Sequence, residues 1–233
     1  MAQEPRPAAG GWKAALIFGL IGLVLGAGAM LLANGYFIRS YLLEHPEILP
    51  EAMERLRERD TAQAVRRHRA ALETPFHSAW AGAPDGDVVL VEFFDYACGF
   101  CRAANPDVER LLREDPRLKV VWREFPVLGP DSEQAAIASL AAAKAGRFRA
   151  FHNRMFATAR PTEASVAAAR EAAGVAEAGL TPEFRAELER NFEIGRAIGA
   201  TGTPTFVIGA RVLQGAVGYE ALRDAVAAAR AAR

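Results

Sequence analysis

Cysteine is almost missing: two residues in 233, Cys98 and Cys101. Two thiols cannot staple a disulfide scaffold, nor supply four ligands to a zinc or iron–sulfur site within one chain. A surplus of charge is missing too, with 28 Lys and Arg against 28 Asp and Glu. Nucleic-acid binders normally carry a basic excess, so that class of partner is set aside. Histidine is sparse, and His45, His68, His77 and His152 show no paired spacing for a metal. No internal repeat occurs. Apolar residues, in contrast, make up 51% of the chain against 24% charged, which excludes a wholly disordered polypeptide. The length suits one folded domain with additional segments.

Charge disappears altogether between Ala14 and Ala33, AALIFGLIGLVLGAGAMLLA, after Arg6 and Lys13. At about 1.5 Å per helical residue this run matches a hydrocarbon core of about 30 Å. The expected arrangement is a cytoplasmic stub over 1–12 and a transmembrane anchor or signal segment over 13–34. The rival is a cleaved signal peptide ending near Ala27-Gly28-Ala29, although its apolar region would exceed the usual length of about 7–15 residues. Both readings export everything after Asn34. The implied location is the bacterial periplasm, either anchored in the inner membrane with the N-terminus cytoplasmic or soluble after cleavage.

Residues 35–75 read as a helical stalk interrupted at His45-Pro46. Leu49, Met53 and Leu56 recur at helical spacing, and Glu51/Arg55 can pair along the surface. A solvated helix and an oligomerisation helix both fit, the second making a homo-oligomer through the stalk. Residues 76–233 form the expected folded domain. Val88 to Phe94 is an apolar run of strand length after the turn signal Pro84-Asp85-Gly86-Asp87. A helix to about Arg113 and a strand over Leu118–Phe125 complete a βαβ unit with a right-handed crossover. An alanine-rich helical insertion spans about 132–198. Thr205–Ile208 and Val212–Gln214 flank Gly209-Ala210 as a hairpin, and a helix closes the chain.

The two cysteines stand at i and i+3 where a helix begins. There they face one side and can close a small disulfide ring. Cys98, at the helix N-terminus, is favoured as thiolate and nucleophile; Cys101, a turn inside, resolves the mixed disulfide. Half of a zinc site is the competing reading of C-x-x-C. Its position between a strand and a helix favours redox chemistry.

VLVEFFDYACGFCR, the following Pro106, WREFPVLG at 122–129 and GATGTPTFVIG together resemble the DsbA-type branch of the thioredoxin superfamily. The resemblance implies an α/β fold: a thioredoxin-like mixed sheet with a helical insertion. It also implies a protein thiol–disulfide oxidoreductase whose only redox group is the Cys98–Cys101 disulfide, with no cofactor and no metal. Pro204 matches the family's cis-proline, and Thr203, Gly99 and Phe100 join it on the substrate-binding side. Glu92 falls on the family's buried acid. Implied partners are exported proteins with thiols or disulfides and a membrane redox protein that recharges the site. Gly99-Phe100 replaces the Pro-His of the best-known oxidases, leaving the Cys98 thiolate to helix-terminus N–H groups alone, so a less oxidising disulfide is expected. Oxidase and isomerase or reductase directions both stay open. IRSYLLEHPEILPEAM also resembles the N-terminal extension of relatives of copper-sensitivity suppressors, part of which trimerise and act as isomerases. The alternative of another class is a non-catalytic copper- or zinc-binding protein that joins the C-x-x-C pair across subunits.

Overall fold

The computed structural model describes residues 11–233; the expected stub over 1–12 lies almost wholly outside them. Two units separate, one ending at Leu56 and one running from Arg57 to Arg233. The first contains helix α1 (Gly11–Glu44) and the start of helix α2 (Ile48–Glu73), with the break at His45-Pro46. Among the described residues no helix is long and apolar enough to cross a membrane. The transmembrane helix and membrane anchor expected over 13–34 are corrected accordingly. One helix also runs straight through the expected boundary at Asn34.

The second unit is built on a five-stranded mixed sheet in the order β1-β3-β2-β4-β5. Strand β2 (Val88–Phe94) lies parallel to β3 (Leu118–Glu124), joined by helix α3 (Gly99–Glu114). Strands β1 (Trp80–Gly82), β4 (Thr205–Ile208) and β5 (Arg211–Gln214) pair antiparallel. Between β3 and β4 come helices α4 (Pro130–Lys144), α5 (Phe148–Phe156), α6 (Glu163–Ala173) and α7 (Pro182–Ala197); α8 (Tyr219–Ala231) closes the chain. The expected thioredoxin-like sheet and helical insertion are therefore present. β1 was not expected, being three residues long and without an apolar run.

Period-two alternation sends the sides of β2 to different cores. Val88, Leu90 and Phe94 join Leu118, Val120, Trp122, Phe206 and Ile208 on the face covered by α3, α8 and the insertion. Val91 and Phe93 join Val121 and Val207 on the other. That second face is covered by Ile194 and Ile198 and also by Ala64, Val65 and Leu72 of α2. The compact unit thus begins at Arg57, not at Phe76, and the end of the expected stalk is part of its core. Arg123 secures this segment from β3. Its guanidinium donates to the carbonyl oxygens of Leu72 at 3.1 Å and Thr74 at 2.7 Å, and also to that of Ala71. It donates as well to Glu187 at 3.1 Å and Asn191 at 2.8 Å on α7. Groups this deeply buried persist only when paired.

Candidate active site

Strand β2 ends at Phe94 and the chain turns through Asp95-Tyr96-Ala97 into α3. The turn is fastened by Cys98 N–H donating to the Asp95 carbonyl at 3.0 Å. Cys98 is the N-cap of α3, in extended conformation with φ −79° and ψ 118°. The strongest influence on it is a hydrogen bond with the Cys101 thiol, followed by one with the Thr203 side chain and by the N–H groups of Cys101 and Phe100. Against some desolvation, these pull the Cys98 thiol down to about 5. Support for the thiolate from Cys101 and Thr203 corrects the expectation that helix-terminus N–H groups act alone. The contribution of Thr203 was invisible in the sequence because it comes from 105 residues away.

Cys101 is fully buried, and burial first, then the bond with Cys98 and the charge of Glu92, push its thiol far above the ordinary range. Both cysteines are free thiols in this structure. One sulfur is therefore prepared as a nucleophile and the other is held protonated. Thr203–Pro204 is a cis peptide bond, and the Thr203 carbonyl oxygen lies 3.2 Å from Cys98 Sγ, where the thiol form can donate to it. Gly99 and Phe100 form the first turn of α3, with Phe100 68% exposed.

Glu92 points to the α3 face of the sheet, in register with Trp122 on the parallel neighbour. Trp122 Nε1 donates to Glu92 Oε2 at 3.0 Å, while Oε1 has no protein partner. Only 1% of Glu92 is exposed. Burial pushes its carboxyl up to about 8, opposed by the Trp122 bond and reinforced by the charges of Glu109 and Cys98. The acid and the two thiols thus influence one another electrostatically. Trp122 is a further site residue that sequence reasoning passed over, and Asp95, outside the reacting groups, braces the turn before Cys98. Asp95 was legible only as a polar residue where the apolar run ends. Among the described residues no cluster of three or more His, Cys, Asp and Glu side chains is placed to hold a metal ion.

This lowered thiol can be measured directly. Thiolate reacts and thiol does not, so alkylation of Cys98 should be at full rate above its folded value and fall as pH drops through about 5. Iodoacetamide kinetics from pH 3.5 to 9 should show that single inflection; an inflection at about 8.5, the value of an ordinary cysteine, would refute it.

Residues 89–227 match the DSBA-like thioredoxin domain family, more than half of the chain. The chain belongs to the DsbA-like thioredoxin family. Its folded domain carries the mixed sheet and helices of that domain family. Residues 35–63 match a second family, the copper resistance protein ScsC N-terminal domain. Among solved structures, this DsbA-like chain is similar to a linker-deletion variant of Proteus mirabilis ScsC. The two are 31% identical with a TM-score of 0.74, over 84% of this chain and 92% of that one. A periplasmic thioredoxin-like protein from Salmonella enterica serovar Typhimurium is 28% identical with a TM-score of 0.66, over 70% of this chain and 95% of that one. A Na+/H+ antiporter NhaA 3 of Salinispora tropica is 30% identical over 162 residues, 64% of this chain and 24% of the antiporter. The chain spans about a quarter or less of the length of the curated relatives it matches.

Proposed function

We propose that the protein is a periplasmic thiol–disulfide oxidoreductase that exchanges disulfides with folding proteins through Cys98-Gly99-Phe100-Cys101. The observation that supports this best is the asymmetry of the pair, Cys98 drawn down to about 5 while Cys101 is driven up by burial. Similarity to a Salmonella protein described as periplasmic supports the location.

In the oxidising direction a substrate thiolate attacks Cys98 Sγ. The Cys98–Cys101 bond breaks, its electron pair goes to Cys101, and that sulfur takes up a proton. A second substrate thiolate then attacks the substrate sulfur of the mixed disulfide and expels Cys98 as thiolate. Two electrons pass from substrate to enzyme, leaving one substrate disulfide and a reduced pair. Reduction and isomerisation begin at the opposite end, with the Cys98 thiolate attacking a substrate disulfide. Cys101 must then lose its proton to resolve the intermediate, and Glu92, whose charge acts on Cys101, is the base assigned to it, through water. Once Cys98 is tied up in a mixed disulfide its charge is gone, which removes one of the influences that keep Glu92 protonated. Thr203 and Pro204 flank the sulfur, where an extended substrate segment can lie. No cofactor beyond the cysteine pair is invoked. A membrane redox protein would return the pair to its starting state.

Replacing Cys101 by alanine should trap exported proteins on Cys98 as mixed disulfides that reducing agent releases. An empty trap, with an inactive wild type in insulin-reduction and RNase-refolding assays, would refute the proposal. Thiol trapping of the pair in cells gives its direction: mostly oxidised means oxidase, mostly reduced means isomerase or reductase.

The residue 35–63 segment supports self-association, because it matches the ScsC N-terminal domain and exposes Leu49, Met53 and Leu56 at 52%, 56% and 57%. The full chain should sediment as an oligomer, and changing Leu49, Met53 and Leu56 together to glutamate should give monomers with an unaltered Cys98. A monomeric wild type would remove this part of the reading.

A further inference from the structure

The carboxylate of Asp95 is 1% exposed, three residues before Cys98. Its oxygens serve two separate stretches of chain. Oδ1 accepts from the Ala97 N–H at 2.8 Å, within the turn that leads to Cys98. Oδ2 accepts from the N–H groups of Val127 at 2.9 Å and Leu128 at 3.1 Å, in the loop after β3. No cation is among these partners, so three backbone amides hold the charge, an arrangement of charge-assisted bonds roughly twice as strong as neutral ones.

What this loop displays gives the contact its meaning. Within the Arg57–Arg233 unit, the large apolar side chains that remain exposed are Phe100 at 68%, Leu128 at 51% and Val127 at 43%. Phe100 is beside Cys98 in sequence, and the other two are fastened to the turn before Cys98 through Asp95. Large exposed apolar side chains in this unit are thus confined to the first turn of α3 and to the loop fastened to the turn before Cys98.

We propose that Asp95 is a positioning residue that locks the 126–128 loop against the Cys98 turn. Val127 and Leu128 thereby form, with Phe100, a fixed apolar rest for one occupant: the extended, cysteine-bearing segment of an unfolded substrate chain. This rests on the oxidoreductase reading and adds to it a preference for cysteines flanked by large apolar side chains. The Asp95 carboxylate is not bonded to the reacting atoms; only the residue's backbone N–H acts on the Cys101 sulfur, and Asp95→Asn keeps that group. Removal of the carboxylate should act on substrates that reach across to the loop and leave small thiols unaffected.

The test compares wild type, Asp95→Asn and Leu128→Asp, all as the full chain, on two substrates. One is a disulfide-bonded peptide with leucine and phenylalanine beside its cysteines; the other is dithiothreitol reacting with the oxidised pair. In Asp95→Asn an amide NH2 must confront at least one backbone N–H, so one side of the lock opens with little change in volume. We expect KM for the peptide to rise about tenfold with kcat nearly unchanged. The dithiothreitol rate and the pH profile of Cys98 alkylation should stay at wild-type values. Leu128→Asp leaves the lock intact and alters only the exposed rest, so it should give the same peptide-specific loss even if Asp95→Asn folds poorly. Equal losses toward both substrates, or no loss in Leu128→Asp, would overturn the positioning role. A wild type inert toward peptide and dithiothreitol alike would instead overturn the oxidoreductase reading.

Discussion

Cys98→Ser should abolish peptide and insulin turnover, with a loss of about a thousandfold or more, because nothing else in the site can form a bond to substrate sulfur. A serine hydroxyl in the same N-cap position would receive the same N–H groups, yet they cannot bring an alcohol into ionisation range. The cap itself should survive, since serine is a favoured N-cap residue. Thermal unfolding of the variant should therefore match that of the reduced wild type, while alkylation at pH 6 disappears. Residual alkylation at the wild-type rate would mean that Cys101 is the accessible thiol, contrary to its complete burial. Paired with Cys101→Ala, which should retain alkylation and accumulate mixed disulfides, the two variants separate attack from resolution.

Arg123→Met should be the most damaging single change to stability, at about 3–5 kcal/mol, the range for breaking a buried ion pair on one side. The methionine would roughly fill the volume and leave the carbonyl oxygens of Ala71, Leu72 and Thr74 without their donor. Glu187, buried on α7, would keep only Arg190, at 2.8 Å. Urea denaturation should report the loss, and near-ultraviolet spectra should show whether α2 still packs on the sheet. The pH dependence has a definite sign. Burial already raises the Glu187 carboxyl, and Arg123 is the first influence opposing it. Removing that cation raises the folded value further above the unfolded one. Such a group contributes its stability below the unfolded value and loses it as pH rises through the folded value. The variant should therefore be hurt more at pH 8 than at pH 4.5. A second change, Glu187→Leu, should recover part of the loss by removing the unpaired carboxylate; failure to recover any would argue that the lost carbonyl partners dominate.

The central strands and the cysteine pair were legible because their signals are local. An apolar run, a turn signal and a C-x-x-C spacing each occupy fewer than ten residues. Glu92 could be singled out as a carboxylate inside an apolar strand, but its Trp122 partner required knowing the parallel register. Cys98 was legible as a nucleophile, whereas the part of its acidity due to the Thr203 side chain comes from 105 residues away. Helix α2 was legible only in its first half. Its conspicuous stripe, Leu49, Met53 and Leu56, is exposed, whereas Ala64 and Val65, small and set among charges, are the residues that are buried. Arg123 and Asp95 escaped because a charged residue in sequence reads as surface, and only the fold supplied enough backbone partners to bury them. The run before Asn34 matched a bilayer by its length and lack of charge, whereas among the described residues no helix is long and apolar enough to cross one.

The antiparallel pairing of β2 with β4 joins residues more than a hundred positions apart, Phe93 with Thr205 and Leu90 with Ile208. It is this pairing that delivers Thr203 and Pro204 to Cys98. A chain emerging in N-to-C order holds its cysteines long before β4 exists, and until then Cys98 lacks the share of its acidity that Thr203 supplies. Reactivity is thereby timed. Cys101 and the first turn of α3 act on the sulfur as soon as that helix forms, and the last strands of the sheet add the contribution of Thr203 when they close beside it.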